Sequence, residues 1–139
     1  MTLGGFFTNY NHFHKYNWFI DDEMWKLYGK KEQSTLKLYM NKLLKLLRLH
    51  SIDLTIAVYP WPTNVWYEDL NSIHVDIWEK WSQENNVKFI NYFPDFVAIG
   101  LSKIEKLQVM EKYYISTDVH FNEEGHKVIA NKFLNTYLK

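Results

Sequence analysis

A chain of 139 residues that is 47% hydrophobic and 18% aromatic has room for one domain with a sizeable core, and too few residues for two comfortable ones. Its 16 basic and 16 acidic residues cancel, so neither a nucleic-acid-binding surplus nor an acidic solvating tail is expected. Cysteine is absent, which excludes disulfides, thiolate metal sites and a cysteine nucleophile.

Residues 1–17 read as irregular, with Gly4-Gly5 followed by Thr8 to His14. The segment Met1 to Phe7 lacks the basic region and long apolar core of a secretory signal. No later apolar run reaches the roughly 18 residues that span a bilayer. No membrane span is therefore expected, and as written the chain stays where it is made. His12 and His14 form a His-x-His pair that reads as a metal half-site, but no Asp, Glu or third His nearby completes it, so they are expected to be surface or packing histidines. Neither a metal nor a cofactor is expected.

A short helix is predicted over Trp18 to Tyr28, ending near Gly29. Ser34 is then expected to cap a longer one, with Leu36, Tyr39, Met40, Leu43, Leu44 and Leu47 on one face. Lys37, Lys42, Lys45 and Arg48 lie around the other face and read as solvated. A membrane-surface helix is the sharper reading, but the chain lacks the net charge excess expected of one.

Leu54 to Tyr59 is nearly continuous in apolar and β-branched residues, which predicts a strand buried on both faces of a parallel sheet. Pro60-Trp61-Pro62 ends it. Thr63 or Asn64 is expected to cap a helix carrying Trp66, Leu70, Ile73, Ile77 and Trp81, with Asn85-Asn86 as its stop. Val87 to Tyr92 reads as a second strand, and Leu101 to Met110 as a helix, in the place of a lid. The order helix, strand, helix, strand, loop, helix predicts an α/β fold with a parallel sheet. In such sheets sites lie beyond the carboxyl ends of the strands.

Ser116 to His126 concentrates the chemistry. Asp118 and His120 stand two apart, just before Asn122, a good helix N-cap. Glu123 and Glu124 follow in the first turn, where the helix dipole favours negative charge. Val128, Ile129, Phe133, Leu134, Tyr137 and Leu138 then run at helical spacing. A histidine acting as general base needs one tautomer, usually held by a carboxylate at Nδ1, and one short loop can present both groups. An Asp-x-His pair also arises as a purely structural contact.

The run Asp118-Val119-His120-Phe121-Asn122-Glu123-Glu124-Gly125-His126 resembles the last sequence block of the SGNH (GDSL-like) hydrolases. Leu54 to Pro62 and Val87 to Phe96 resemble that family's last two strands and their loops, so the likeness covers about residues 50–139. It implies a partial three-layer αβα, flavodoxin-like parallel sheet lacking its first strands, within a single incomplete domain. It also implies His120 as general base, Asp118 as its orienting carboxylate, and Asn122 and Gly125 as structural residues. Trp61 would wall a pocket for a small ester or an acylated carbohydrate, unless it is core. His126 reads as packing.

Two features depart from the family. The Asp commonly stands three before the His, not two. And none of Ser34, Ser51, Ser72, Ser82, Ser102 and Ser116 lies in the Gly-Asp-Ser-like turn that carries the nucleophile, while Gly4-Gly5 and Asn9 match an oxyanion loop only faintly. The resemblance thus implies a C-terminal portion of an ester or acyl hydrolase, with the expectation that Met1 is not the natural start and that this polypeptide alone is inactive. Two further readings stay open: a complete, non-catalytic binding module with aromatic surface near Trp61, Trp66 and Tyr67, and a chain that self-associates through an unpaired strand edge.

Overall fold

The computed structural model describes residues 21–138. Gly4, Gly5, Asn9, His12, His14 and the start of the helix expected from Trp18 lie outside the described residues.

Asp21 opens the first helical run by accepting hydrogen bonds from the backbone N–H groups of Glu23 and Met24. The run continues through α1 (Asp22–Met24), a π-turn (Trp25–Gly29) and α2 (Lys30–Leu49). The expected break at Gly29 does not occur. Gly29 keeps right-handed helical dihedrals, and Ser34 does not cap but returns its hydroxyl to the Lys30 carbonyl at 2.9 Å.

β1 (Thr55–Val58) and β2 (Lys88–Asn91) pair in parallel, with Thr55 opposite Lys88 and Val58 opposite Asn91. Tyr92 extends the ladder by donating to the Val58 carbonyl at 2.9 Å. The protein is thus mixed α/β with a small two-stranded parallel sheet. β1 corrects the expectation of burial on both faces. Ala57 is exposed, and among the described residues β1 has a strand neighbour on one side only.

Between the strands the expected single helix is two, α3 (Pro62–Trp66) and α4 (Ile73–Glu84). Asn64 makes the break. Its side chain accepts from the Trp61 N–H at 2.7 Å and donates to Asp69 Oδ2 at 2.8 Å, and its carbonyl accepts from the Asp69 N–H at 2.9 Å. Glu68 takes a positive φ of 55° in this turn. Asn86, also at positive φ, ends α4 as expected. After β2 come α5 (Phe93–Phe96), α6 (Lys103–Tyr113) and α7 (Glu123–Tyr137). Ser102 and Glu105 form a reciprocal capping box at the start of α6.

Two apolar clusters hold these elements. The larger joins Val65, Ile90, Tyr92, Phe93, Phe96, Val97, Met110, Tyr114 and Phe121, with Val128 and Ile129 of α7 packed against it. The smaller joins Leu44 of α2 to Trp78 and Trp81 of α4, with Ile56 and Val58 of β1 beneath. Trp81 Nε1 donates to Asn41 Oδ1 at 2.9 Å, tying α4 to α2. The apolar face expected of α2 is only partly used: Leu44 is buried and Met40 packs beside it, whereas Leu36, Tyr39 and Leu43 are exposed. On α7, Val128 and Ile129 reach the core but Phe133, Leu134, Tyr137 and Leu138 do not.

Candidate functional site

The carboxyl end of β1 and the loop before α7 meet through aromatic side chains. Tyr114 and Phe121 form an isolated antiparallel bridge, which closes residues 115–120 into a tight hairpin. Within it the Ile115 N–H donates to the His120 carbonyl at 2.9 Å and the Asp118 N–H to the Ile115 carbonyl at 3.0 Å. Thr117 turns the chain at a φ of 66°. Phe121 anchors the hairpin, its ring 4.7 Å from those of both Phe96 and Tyr114 and 5.6 Å from Tyr59. The buried Tyr114 hydroxyl donates to the Pro60 carbonyl at 2.9 Å. The segment Tyr59-Pro60 leaving β1 is therefore bound directly to the hairpin, on the edge where a parallel sheet places its site.

The start of α7 locks the hairpin from the other side. Asn122 Oδ1 accepts from the Gly125 N–H at 3.1 Å, and its Nδ2 donates to the carbonyls of Lys112 and Tyr114 at 3.0 and 3.2 Å. Gly125 sits where a Cβ would stand 2.3 Å from the Tyr113 carbonyl oxygen and 2.6 Å from the Phe121 ring. Only glycine allows that approach. Both residues thus act as cap and packing element. His126 is exposed, edge-on to Phe121 at 6.1 Å, and takes no part in the Asp–His contact.

On this support Asp118 and His120 come together: Nδ1 of His120 lies 2.8 Å from Asp118 Oδ1. The same oxygen accepts from the Val119 N–H at 2.6 Å, which fixes the carboxylate before the imidazole reaches it. The His120 imidazole, with the Val119 N–H second, holds the Asp118 carboxyl below the usual carboxylate range. When neutral, an imidazole in this contact keeps its proton on Nδ1 and leaves Nε2 free to accept another. The side chains of His120 and Asp118 are 74% and 46% exposed, so solvent screens the pair and it contributes little to stability.

Trp61, the third residue predicted for the site, is 41% exposed and follows the Pro60 that Tyr114 binds. Its backbone N–H is taken by Asn64, so its position is set by the N-terminus of α3. The open cleft lined by Asn41, Leu44, Arg48, Trp81 and Asn85 lies between α2 and α4 and includes no residue of the hairpin. Among the described residues no three His, Asp or Glu side chains converge to hold a metal ion.

Sequence reasoning missed the tie from Tyr114 to Pro60, since nothing local distinguishes Tyr114 from the chain's nine other tyrosines. It also missed the contact of Asn64 with Asp69. Burial pushes the Asp69 carboxyl up, and the hydrogen bond from Asn64 draws it part of the way back. No family model matches the chain, and no curated protein or solved structure is similar enough to serve as a relative.

Proposed function

We propose that Asp118 and His120 are the carboxylate and general base of an SGNH-type hydrolase acting on small esters or acyl groups, with O-acylated carbohydrate as one substrate class. The 2.8 Å contact between Nδ1 and Asp118 carries this reading, because it holds the tautomer that leaves Nε2 to deprotonate a hydroxyl. The position beside the exit of β1 supports it. A flavodoxin-like three-layer sheet would be completed by strands added at the free side of β1, and Trp61 would then flank the substrate. In the full reaction a serine attacks the carbonyl, His120 takes its proton, and Asp118 steadies the imidazolium. Within this chain Ser72 and Ser82 are fully buried, Ser34 gives its hydroxyl to the Lys30 carbonyl, and Ser102 is engaged in capping α6. The nucleophile is therefore assigned to a segment other than these.

The test uses the complete product of the gene. Hydrolysis of an activated acetyl ester is followed in wild type and in His120→Ala, and a fluorophosphonate probe reports a reactive serine. Loss of about three to four orders of magnitude in kcat/KM, with one labelled serine, is the expected result. A rate within a few-fold of wild type and no labelled serine refutes the reading.

The second reading, a self-associating module, is favoured by one observation: exposed Ala57 in a strand that, among the described residues, is paired on one side. A single monomeric species in sedimentation across a hundred-fold range of concentration would remove it.

A further inference from the structure

We propose that the outer face of α2 binds an anionic lipid surface. Leu36, Tyr39, Leu43 and Leu46 recur at spacings of three and four, and retain 44%, 60%, 41% and 54% of their exposure. This is a second apolar stripe, beside the one that packs through Met40 and Leu44. It runs about 15 Å along the helix at 1.5 Å per residue. Leu38 and Leu49 are also exposed, beyond Lys42 and Thr35 from the stripe, so an arc of roughly 160° at 100° per residue mixes apolar side chains with Lys31, Thr35, Lys42 and, within the stripe itself, Glu32. One partner helix covers a narrow seam of positions a and d. An arc of this width in which lysines stand among leucines fits the boundary between charged headgroups and acyl chains.

Charge selects among the boundaries. Residues 30–49 hold six basic side chains and one acidic, although the chain as a whole is neutral; Lys37 and Arg48 line the cleft toward α4, and Glu32 lies within the stripe. Lys31 and Lys42 fall along the outer flank of the stripe and Lys45 at the edge of the α2–α4 cleft, all exposed. Lys42 already lays its ammonium over the Tyr39 ring, 5.1 Å from the centroid, its stem along the apolar surface and its head free to reach outward. A second copy of the helix would bring like charges together. Anionic headgroups over an acyl boundary satisfy both the lysines and the leucines. The contact lies along the surface, since no described helix is long and apolar enough to cross a membrane.

The experiment is co-sedimentation of the whole chain with vesicles of phosphatidylcholine alone, and of phosphatidylcholine with phosphatidylserine, at low and at physiological salt. Binding to the phosphatidylserine vesicles only, weakening as salt rises, is the expected result. Lys42→Glu with Lys45→Glu should lower the apparent affinity at least about ten-fold. Leu36→Ser with Leu43→Ser should do the same at unchanged charge, and circular dichroism checks that both variants keep their helix. Wild-type protein left in the supernatant, equal binding to both vesicle types, or full binding by the charge-reversed variant overturns the proposal. So does a concentration-dependent dimer that forms without vesicle binding and that Leu43→Ser dissociates, which would make the face a helix-pairing seam.

Discussion

The hairpin before α7 and the helix α2 carry similar sequence signals and end in opposite conditions. Both are amphipathic, both have a clear apolar series, and both are rich in charge. At the hairpin the core takes the anchoring residues, though Ile115 stays exposed: Phe121 is packed among Phe96, Tyr114 and Tyr59, and Gly125 is pressed against Tyr113. On α2 the core takes Leu44 and Met40 and leaves Leu36, Tyr39, Leu43 and Leu46 outside. Periodicity therefore reports which face can be buried. Whether another element is there to bury it depends on the rest of the chain.

The sharpest way to break the contrast is Phe121→Ala. Deleting a buried ring from the centre of the larger cluster should cost about 3–5 kcal/mol in urea unfolding. The hairpin would lose its anchor, so the Asp118–His120 contact should loosen as well. A cost below about 1 kcal/mol would show that Phe121 does not hold the hairpin. Next is acid. Burial lowers His74, in the first turn of α4, to about 4. Unfolded histidine titrates near 6.5, so between these values the unfolded chain takes up a proton that the folded chain refuses. Stability from this source is full above about 6.5 and is lost as pH falls toward 4, by on the order of 3 kcal/mol. In His74→Gln that part of the pH–stability curve should flatten; an unchanged slope would assign the acid loss to other groups.

Gly125→Ala comes third. Its Cβ meets backbone, which cannot swing aside, so a loss of about 1–3 kcal/mol is expected by thermal or urea unfolding. Stability equal to wild type would mean that α7 can shift without harm. The smallest effect sharpens the other side of the comparison. Leu43→Ser on α2 should cost no more than about 1 kcal/mol, because the side chain keeps 41% of its exposure and lies outside both apolar clusters. A loss above about 2 kcal/mol would show that this face is covered in the folded protein.

The local elements were legible because their signals are short-range. Pro60-Trp61-Pro62 stops β1, Asn85-Asn86 stops α4, and Asn122 caps α7 through its own side chain. The pairing of Asp118 with His120 was legible for the same reason, since two residues on one tight turn need no distant partner. The break between α3 and α4 was not. It depends on Asn64 choosing Asp69 and the Trp61 N–H over continued helix, which helical spacing of the apolar residues conceals. Nor was the through-helix from Asp22 to Leu49, where Gly29 reads as a stop and is absorbed by a π-turn.

The sequence by itself determined where the two strands lie and where α7 begins, that the sheet is parallel, and which Asp and His share a turn, because each follows from backbone stereochemistry and neighbours a few residues away. Only the tertiary structure decided that Tyr114 clasps Pro60 to bring the exit of β1 against that turn, 54 residues apart in the chain. It alone decided too that Ala57 and the outer face of α2 stay uncovered. Burial is a property of how much chain surrounds a residue, and no local pattern contains it.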